Sequence, residues 1–342
     1  YLAGPEPDRV RYQAEANFVR IDDLLPALLA VAPGLLRDAG IDGTVQGDLS
    51  DFSAEIELLD NNLEAFALET EFASLGYISP AQGLELTGYS GELEADRDGG
   101  DLNIRTRGAR LGIAKVFRET FDILSLEGVV VWHADADGYR VLANNVELET
   151  PHGRINASVE LISDLEFTAP VIDLSGEAQV DDVAESPRYL PKILPPTVIN
   201  WLDQSLIAGR VPWAEFKLRG PVKEFPYDHG EGELLIRFNF VDGVLDYAPE
   251  WPLLTDASGQ VVFDGVSIYS KRNALTISGI KIKQADVRID DIRAAVLIAS
   301  GSSQAQLTHV LKFLQDSPVG EALGPVFDDV YAQGTADATL EL

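Results

Sequence analysis

Between residues 230 and 240 the chain alternates strictly. Leu234, Ile236, Phe238 and Phe240 fall on one parity, and Glu233, Leu235, Arg237 and Asn239 on the other. Side chains of an extended backbone point alternately to opposite faces, so the segment predicts a strand with one apolar face and one largely wet face. The same grammar recurs from end to end. It predicts strands over 10–18, 44–58, 64–72, 91–95, 101–106, 126–134, 139–149, 154–161 and 172–180. After a break it predicts more over 214–218, 232–240, 244–247, 259–263, 266–270, 274–283, 285–289, 294–299 and 335–342. Asp98-Gly99-Gly100, Asp137-Gly138, Asp242-Gly243 and Asp264-Gly265 supply residues that tolerate positive φ and read as the turns of an antiparallel meander.

Three segments keep a helical period instead. Near 22–38, Asp22 and Asp23 can cap, Pro26 falls in the first turn, and Leu24, Leu25, Leu28, Leu35 and Leu36 form a broad apolar stripe ending at Gly40. Near 195–208, Pro195-Pro196 opens a helix carrying Val198, Ile199, Leu202 and Leu206, with Gly209 as its stop. Near 304–316, Leu307, Val310, Leu311 and Leu314 line up before Pro318.

Ile21-Asp22-Asp23, Val180-Asp181-Asp182 and Ile289-Asp290-Asp291 each end a strand upstream of a helix, and a glycine leads the strand after it at Gly43, Gly209 and Gly334. This reads as a degenerate repeat of a strand-rich unit, against the plainer alternative that acidic turns and glycines recur in any β protein. On the first reading, segment 1–185 holds the first helix and segment 186–342 the other two. The chain opens at Tyr1 in mid-pattern, without an initiator methionine, and is expected to be a piece of a longer protein.

Charge removes one class of partner. Twenty-six Lys and Arg against 56 Asp and Glu leave a formal net charge of -30, which repels phosphate backbones, and no basic run exceeds Lys271-Arg272. Nucleic acid is therefore not an expected partner. The chain contains no cysteine, so disulfides and thiolate metal sites are not available to it. No run of about 18 apolar residues reads as a membrane span.

An enzyme needs a constellation, and the candidates dissolve one by one. His133, His152, His229 and His309 are isolated from one another in sequence. Gly88-Tyr89-Ser90-Gly91 is one residue short of a nucleophile elbow and reads as a turn. His133-Ala134-Asp135-Ala136-Asp137-Gly138 has His where a calcium loop needs its first carboxylate and Asn144 where it needs its closing Glu, so a hairpin turn is expected there. No catalytic residue, metal ligand or cofactor site is expected.

From residue 189 to 252 a set of less common residues stands in fixed order. It comprises Leu190-Pro191, Leu194-Pro195-Pro196, Trp201-Leu202-Asp203, Gly209-Arg210-Val211, Leu218-Arg219-Gly220-Pro221, Phe225-Pro226-Tyr227, Gly230-Glu231-Gly232 and Leu245-Asp246-Tyr247-Ala248-Pro249-Glu250-Trp251-Pro252. This region resembles the central part of YhdP-type members of the bacterial AsmA-like family. Tyr77-Ile78-Ser79-Pro80 through Val131-Trp132, and Leu311-Lys312-Phe313-Leu314 to Gly334, are similar to the parts before and after it. The resemblance implies a mainly β fold, a long antiparallel and strongly twisted sheet curled into a repeating β-groove with about three short helices. It also implies an inner-membrane-anchored envelope protein whose periplasmic body moves phospholipid toward the outer membrane. Membrane contact would lie in parts outside this segment, and any envelope protein partners stay unidentified.

The strand faces and the resemblance meet in a question of coverage. About eighteen short strands each present an apolar face, and three modest helices can screen only a few of them. Either the sheet closes on itself around a dry core as a structural module of the envelope, or its face holds phospholipid acyl chains. For the second case the expected lining is Val130, Trp132, Val159, Leu161, Leu234, Ile236, Phe238, Phe240, Phe263, Leu275 and Ile277. Leu24, Leu25, Leu28 and Leu35 belong to the expected lid helix.

Overall fold

The computed structural model of the chain describes residues 9–23, 25, 42–60, 62–192, 194, 196–294, 296–323 and 330–341. Its sixteen strands are hydrogen-bonded in strict sequence order, from β1 to β16, as an open and mainly antiparallel sheet with a few short helices. The chain divides into two compact units, Tyr1–Pro151 with Ile155–Asp173, and His152–Arg154 with Leu174–Leu342.

The first unit contains β1 (Arg9–Arg20), β2 (Thr44–Leu59), β3 (Asn62–Ser79), β4 (Leu84–Asp96), β5 (Gly99–Ile113), β6 (Phe121–Ala134), β7 (Tyr139–Thr150) and most of β8 (Gly153–Ser163). The second contains most of β9 (Val171–Val180), α1 (Pro196–Ser205), β10 (Leu206–Pro221), β11 (Glu233–Leu245), β12 (Leu254–Asp264) and β13 (Ser267–Ile277). It continues through β14 (Ile280–Ile289), β15 (Leu297–Gln306), α2 (Leu307–Gln315), α3 (Pro318–Leu323) and β16 (Thr335–Glu341).

The strands are fewer and longer than the alternation predicts, because several positive-φ residues that read as turns sit inside strands. Asp242, at φ 55, makes a bulge within β11, so 233–240 and the first two residues of 244–247 are parts of one strand. Gly88-Tyr89-Ser90-Gly91 is likewise no turn. It lies within β4, where Gly88 has φ 84 and the pairing with β5 slips between Thr87 and Gly91. The opposite error falls on 274–283, which is a hairpin: Ser278 at φ 47 and Gly279 at φ 84 join Ile277 to its partner Ile280. Positive φ at both central residues is what a tight two-residue turn between right-twisted strands requires.

The helices shift for related reasons. α1 stops at Ser205, and Leu206 already belongs to β10. Gly209 is therefore a strand residue, at φ 138, with the Cα of Gly243 3.1 Å from where its Cβ would stand. Strand β15 runs to Gln306, so the third helix begins at Leu307. Pro318 opens a further short helix, α3, since a missing N–H costs nothing in a first turn. The lid helix expected over 22–38 lies outside the described residues, Leu24, Leu28 and Leu35 included. Only helical residues 21–23 and the partly exposed Leu25 are described there.

Candidate apolar binding face

Directly opposed residues of an antiparallel pair share a face, so the registers trace apolar rows across the strands. In the second unit one row runs Phe216, Ile236, Phe263, Ile268, Ile289 and Leu297, one residue from each of β10 to β15. Beside it runs Ala214, Phe238, Val261, Ser270, Val287 and Ala299. Six strands span about 24 Å, and rows two residues apart are separated by about 7 Å. The Phe238 and Phe263 rings are stacked, centroids 6.2 Å apart and 28° between planes. Leu234, Ile236, Phe238, Phe240 and Phe263 are all partly exposed, as are Phe216, Leu218, Ile268 and Ile289, and Leu297 is 45% exposed.

The same face is dry at its other end. Ile277, Ile280 and Ala305 form a buried cluster with Phe313 of α2, and Tyr247, Trp251, Leu254, Leu275, Ile282, Val310 and Leu314 pack around it. Trp251 stands 6.0 Å from the Phe313 ring and 6.1 Å from Tyr247. Burial raises the Tyr247 hydroxyl to about 12, so it stays neutral beside the cluster. Helix α1 is tied alongside through the Trp201 indole N–H, which donates to the Tyr247 carbonyl at 3.0 Å.

The first unit is laid out alike. One row joins Thr70, Leu93, Leu102, Val130 and Ala143, and its neighbour joins Ala14, Ala54, Leu68, Ala95, Gly100, Trp132 and Val141. Leu93, Leu102, Val130, Trp132 and Val141 are partly exposed. Toward the other end of these strands Ala109 and its partner Ile123 are 2% and 1% exposed, and Phe117 meets Phe121 edge to face at 5.2 Å.

Between the exposed rows and the buried end of each unit runs a line of bulges. Bulges strand backbone polar groups, and here side chains from neighbouring strands meet them. Thr70 Oγ1 donates to the Ser50 carbonyl at 3.1 Å, and the Ser74 N–H donates to Ser90 Oγ at 3.2 Å. The Asn145 N–H donates to Ser158 Oγ at 3.1 Å, and the Arg272 N–H to Asp286 Oδ1 at 2.8 Å. Ser270 donates to the Gln260 carbonyl at 2.7 Å and Asn273 to the Ala285 carbonyl at 2.9 Å. These polar residues interrupt the apolar rows in sequence, but their hydrogen bonds are consumed by the sheet. The rows they border gain no free polar hook.

The opposite face carries the charges, with apolar residues such as Val131, Val262 and Ile298 set among them. Glu69, Glu94 and Asp101 lie in register across β3, β4 and β5, next to the row Glu71, Glu92 and Asn103. Cross-strand pairs knit it: Arg105 to Glu92 at 3.1 Å, Arg110 to Glu85 at 2.6 Å, Arg237 to Glu215 at 3.0 Å, and Arg140 to Glu160. At the open end of the second unit's rows, Arg293 bridges Asp228 at 2.5 Å and Asp291 at 2.7 Å, tying the connection before β11 to the one before β15. That guanidinium holds Asp291 down to about 2.

The expected lining residues thus fall in three places. Val130 and Trp132 lie in adjacent rows of the first unit, and Val159 and Leu161 share a face of β8 and are partly exposed. Leu234, Ile236, Phe238 and Phe263 lie in the open rows of the second unit, and Phe240 continues them toward the bulge opposite Gly259. Leu275 and Ile277 lie under α2. Sequence reasoning omitted Phe216, Val261, Ile268, Val287 and Ile289. Strand alternation was their only signal, and it needed the register to be read across strands.

The architecture defines a class: an open antiparallel sheet with its charges gathered on one face and the other face apolar, half-exposed and free of charge along the rows traced above. Within that class, the chain belongs to the YhdP protein family, which it matches over residues 4–342. It is 19% identical over 255 residues to the intermembrane phospholipid transporter YhdP of Escherichia coli (strain K12), an alignment covering 74% of this chain and 20% of that protein. The chain therefore spans about a fifth of that relative's length. No solved structure matches it.

Proposed function

We propose that the half-exposed rows of each unit bind phospholipid acyl chains lying crosswise to the strands, and that the chain is a periplasmic segment of an inner-membrane-anchored protein. That protein would carry phospholipid across the envelope and so support the lipid balance of the outer membrane. The observation carrying the reading is that the largest side chains of the rows, Phe216, Phe238, Phe263 and Trp132, are neither buried in a core nor interrupted by a charge. Each methylene removed from water contributes about 0.8 kcal/mol, so a chain of about sixteen carbons gains on the order of 10 kcal/mol on such a surface. No directional polar contact is needed, which suits a ligand that slides. The family and the name of the E. coli relative point the same way.

A dry-core scaffold accounts for the cluster around Phe313 but leaves the rows beyond the bulges unexplained. The test is to express the chain in the periplasm, purify it without detergent, extract it with organic solvent and analyse the extract by mass spectrometry. Phospholipid should co-purify. A chain that carries none, and takes none from phosphatidylethanolamine vesicles, refutes the reading.

A further inference from the structure

We infer that α2 is a fixed internal wall occupying acyl-binding surface, and that Phe313 sets how much phospholipid the second unit accepts. The inference rests on the reading that the apolar rows bind acyl chains. The surface under α2 is the same kind of surface as the open rows. Past the bulge of β13, the face carrying Ile268 continues as Leu275 and Ile277, and past that of β14 the face carrying Ile289 and Val287 continues as Ile282 and Ile280. Leu254 extends it onto β12 opposite Ile277. None of these side chains is charged, and past the bulges what distinguishes them from the open rows is the helix lying on them.

The helix is built to stay. Its first N–H, from Leu307, donates to the Gly334 carbonyl at 3.0 Å, and the Asp316 N–H closes its last turn on the Lys312 carbonyl at 2.9 Å. Phe313 is only 8% exposed, with Trp251 against one side of its ring and Ile277, Ile280 and Ala305 beneath it. His309 lies over the tight turn of the β13–β14 hairpin, its ring atoms 3.1 Å from where a Cβ on Gly279 would stand. Thr308, Lys312 and Gln315 point outward and are exposed. A helix tied to Gly334 at its first residue, with its apolar side consumed by the sheet, is a wall and not a hinged lid. Its largest wall residue fills space that acyl chains would otherwise fill.

Phe313→Ala should therefore open that surface, whereas Lys312→Ala, on the outer side, should not. The readout is the number of phospholipids per full chain, by native mass spectrometry after loading from phosphatidylethanolamine vesicles, with near-ultraviolet circular dichroism confirming the fold. The covered section draws on four strands, β12 to β15, against six for the open rows, and one ring removed from a helix that stays in place frees only part of it, so bound lipid in the second unit should rise by up to about half. Equal loading of wild type and folded Phe313→Ala overturns the inference and leaves the acyl-binding reading standing. Absence of lipid from the wild type removes both. If Phe313→Ala does not fold, Val310→Ala, on the same side of the helix, carries the same comparison with the same two outcomes.

Discussion

The hydroxyl of Thr106 in β5 donates to the carbonyl of Ser90 in β4 at 3.1 Å and accepts from the N–H of the same residue at 2.9 Å. One side chain thereby satisfies both backbone groups that the bulge of β4 sets loose, and Thr106 itself is fully buried. This contact lets the strand bend without an orphaned polar group on the apolar side.

Thr106→Val keeps the shape and removes the hydroxyl, leaving the part-buried Ser90 N–H and carbonyl without that partner. Such groups cost about 1–3 kcal/mol, so urea denaturation should show a loss of about 2 kcal/mol. Thr106→Ser, which keeps the hydroxyl, should lose clearly less. Equal losses in the two variants would mean that packing, and not the bulge, sets the role of Thr106.

Gly100 is a glycine because of Trp132 and the Glu94 carbonyl, which a Cβ there would approach to 2.5 Å. A Cβ at position 100 would stand 2.5 Å from Cζ2 and 2.7 Å from Cη2 of the indole, which lies across the neighbouring strand. Gly100→Val should lift the ring from the sheet at a cost of about 1–3 kcal/mol. In a variant with Trp132 as sole tryptophan, its emission should shift to the red. An unchanged spectrum would show that the indole is not held flat.

Asp291 answers to acid through Arg293. Its carboxyl is lowered from 3.8 to about 2, first by hydrogen bonds from the Arg293 side chain, then by the Arg293 N–H. Because the folded value lies below the unfolded one, the pair's stabilisation is fully present above about pH 4 and fades as pH falls through about 2. Carboxyl carbon NMR should show Asp291 titrating near the lower value in wild type and moving back toward 3.8 in Arg293→Gln. The exposure of the arginine keeps the effect on total stability small. A titration midpoint unmoved by the substitution would remove Arg293 as the cause.

Much of this sheet is legible from alternation alone. Leu234 to Phe240 keep one parity because β11 is regular there, and parity decides the face. Alternation fails where the backbone breaks its period. Between Ile282 and Ala285 in β14 the parity changes while the face does not, because a bulge absorbs the extra residue. Asp242 and Gly88 read as turns for the same reason: positive φ is common to turns and bulges, and only pairing with the next strand separates them. Thr70, Thr106 and Asn273 look like defects in apolar rows until the bulge each one satisfies is seen. The wall made by α2 was half legible. Its apolar stripe is plain in Leu307, Val310, Leu311 and Leu314, whereas Phe313, which completes the cluster over Ile277, sits off that set.

Phe238 and Ile277 lie on the same face of the second unit and should respond oppositely to a charge. Ile277 is 5% exposed beneath Phe313, so a carboxylate there has neither water nor a partner, and Ile277→Asp should cost several kcal/mol and unfold the unit. Phe238 is partly exposed, with the Phe263 ring stacked against it, so an aspartate there can turn its charge to water. Phe238→Asp should keep the near-ultraviolet spectrum and most of the melting temperature while losing co-purified phospholipid. A dry core throughout predicts that both variants unfold alike. Thermal melts of the two proteins, read beside their lipid content, therefore decide whether the rows beyond the bulges face protein or lipid.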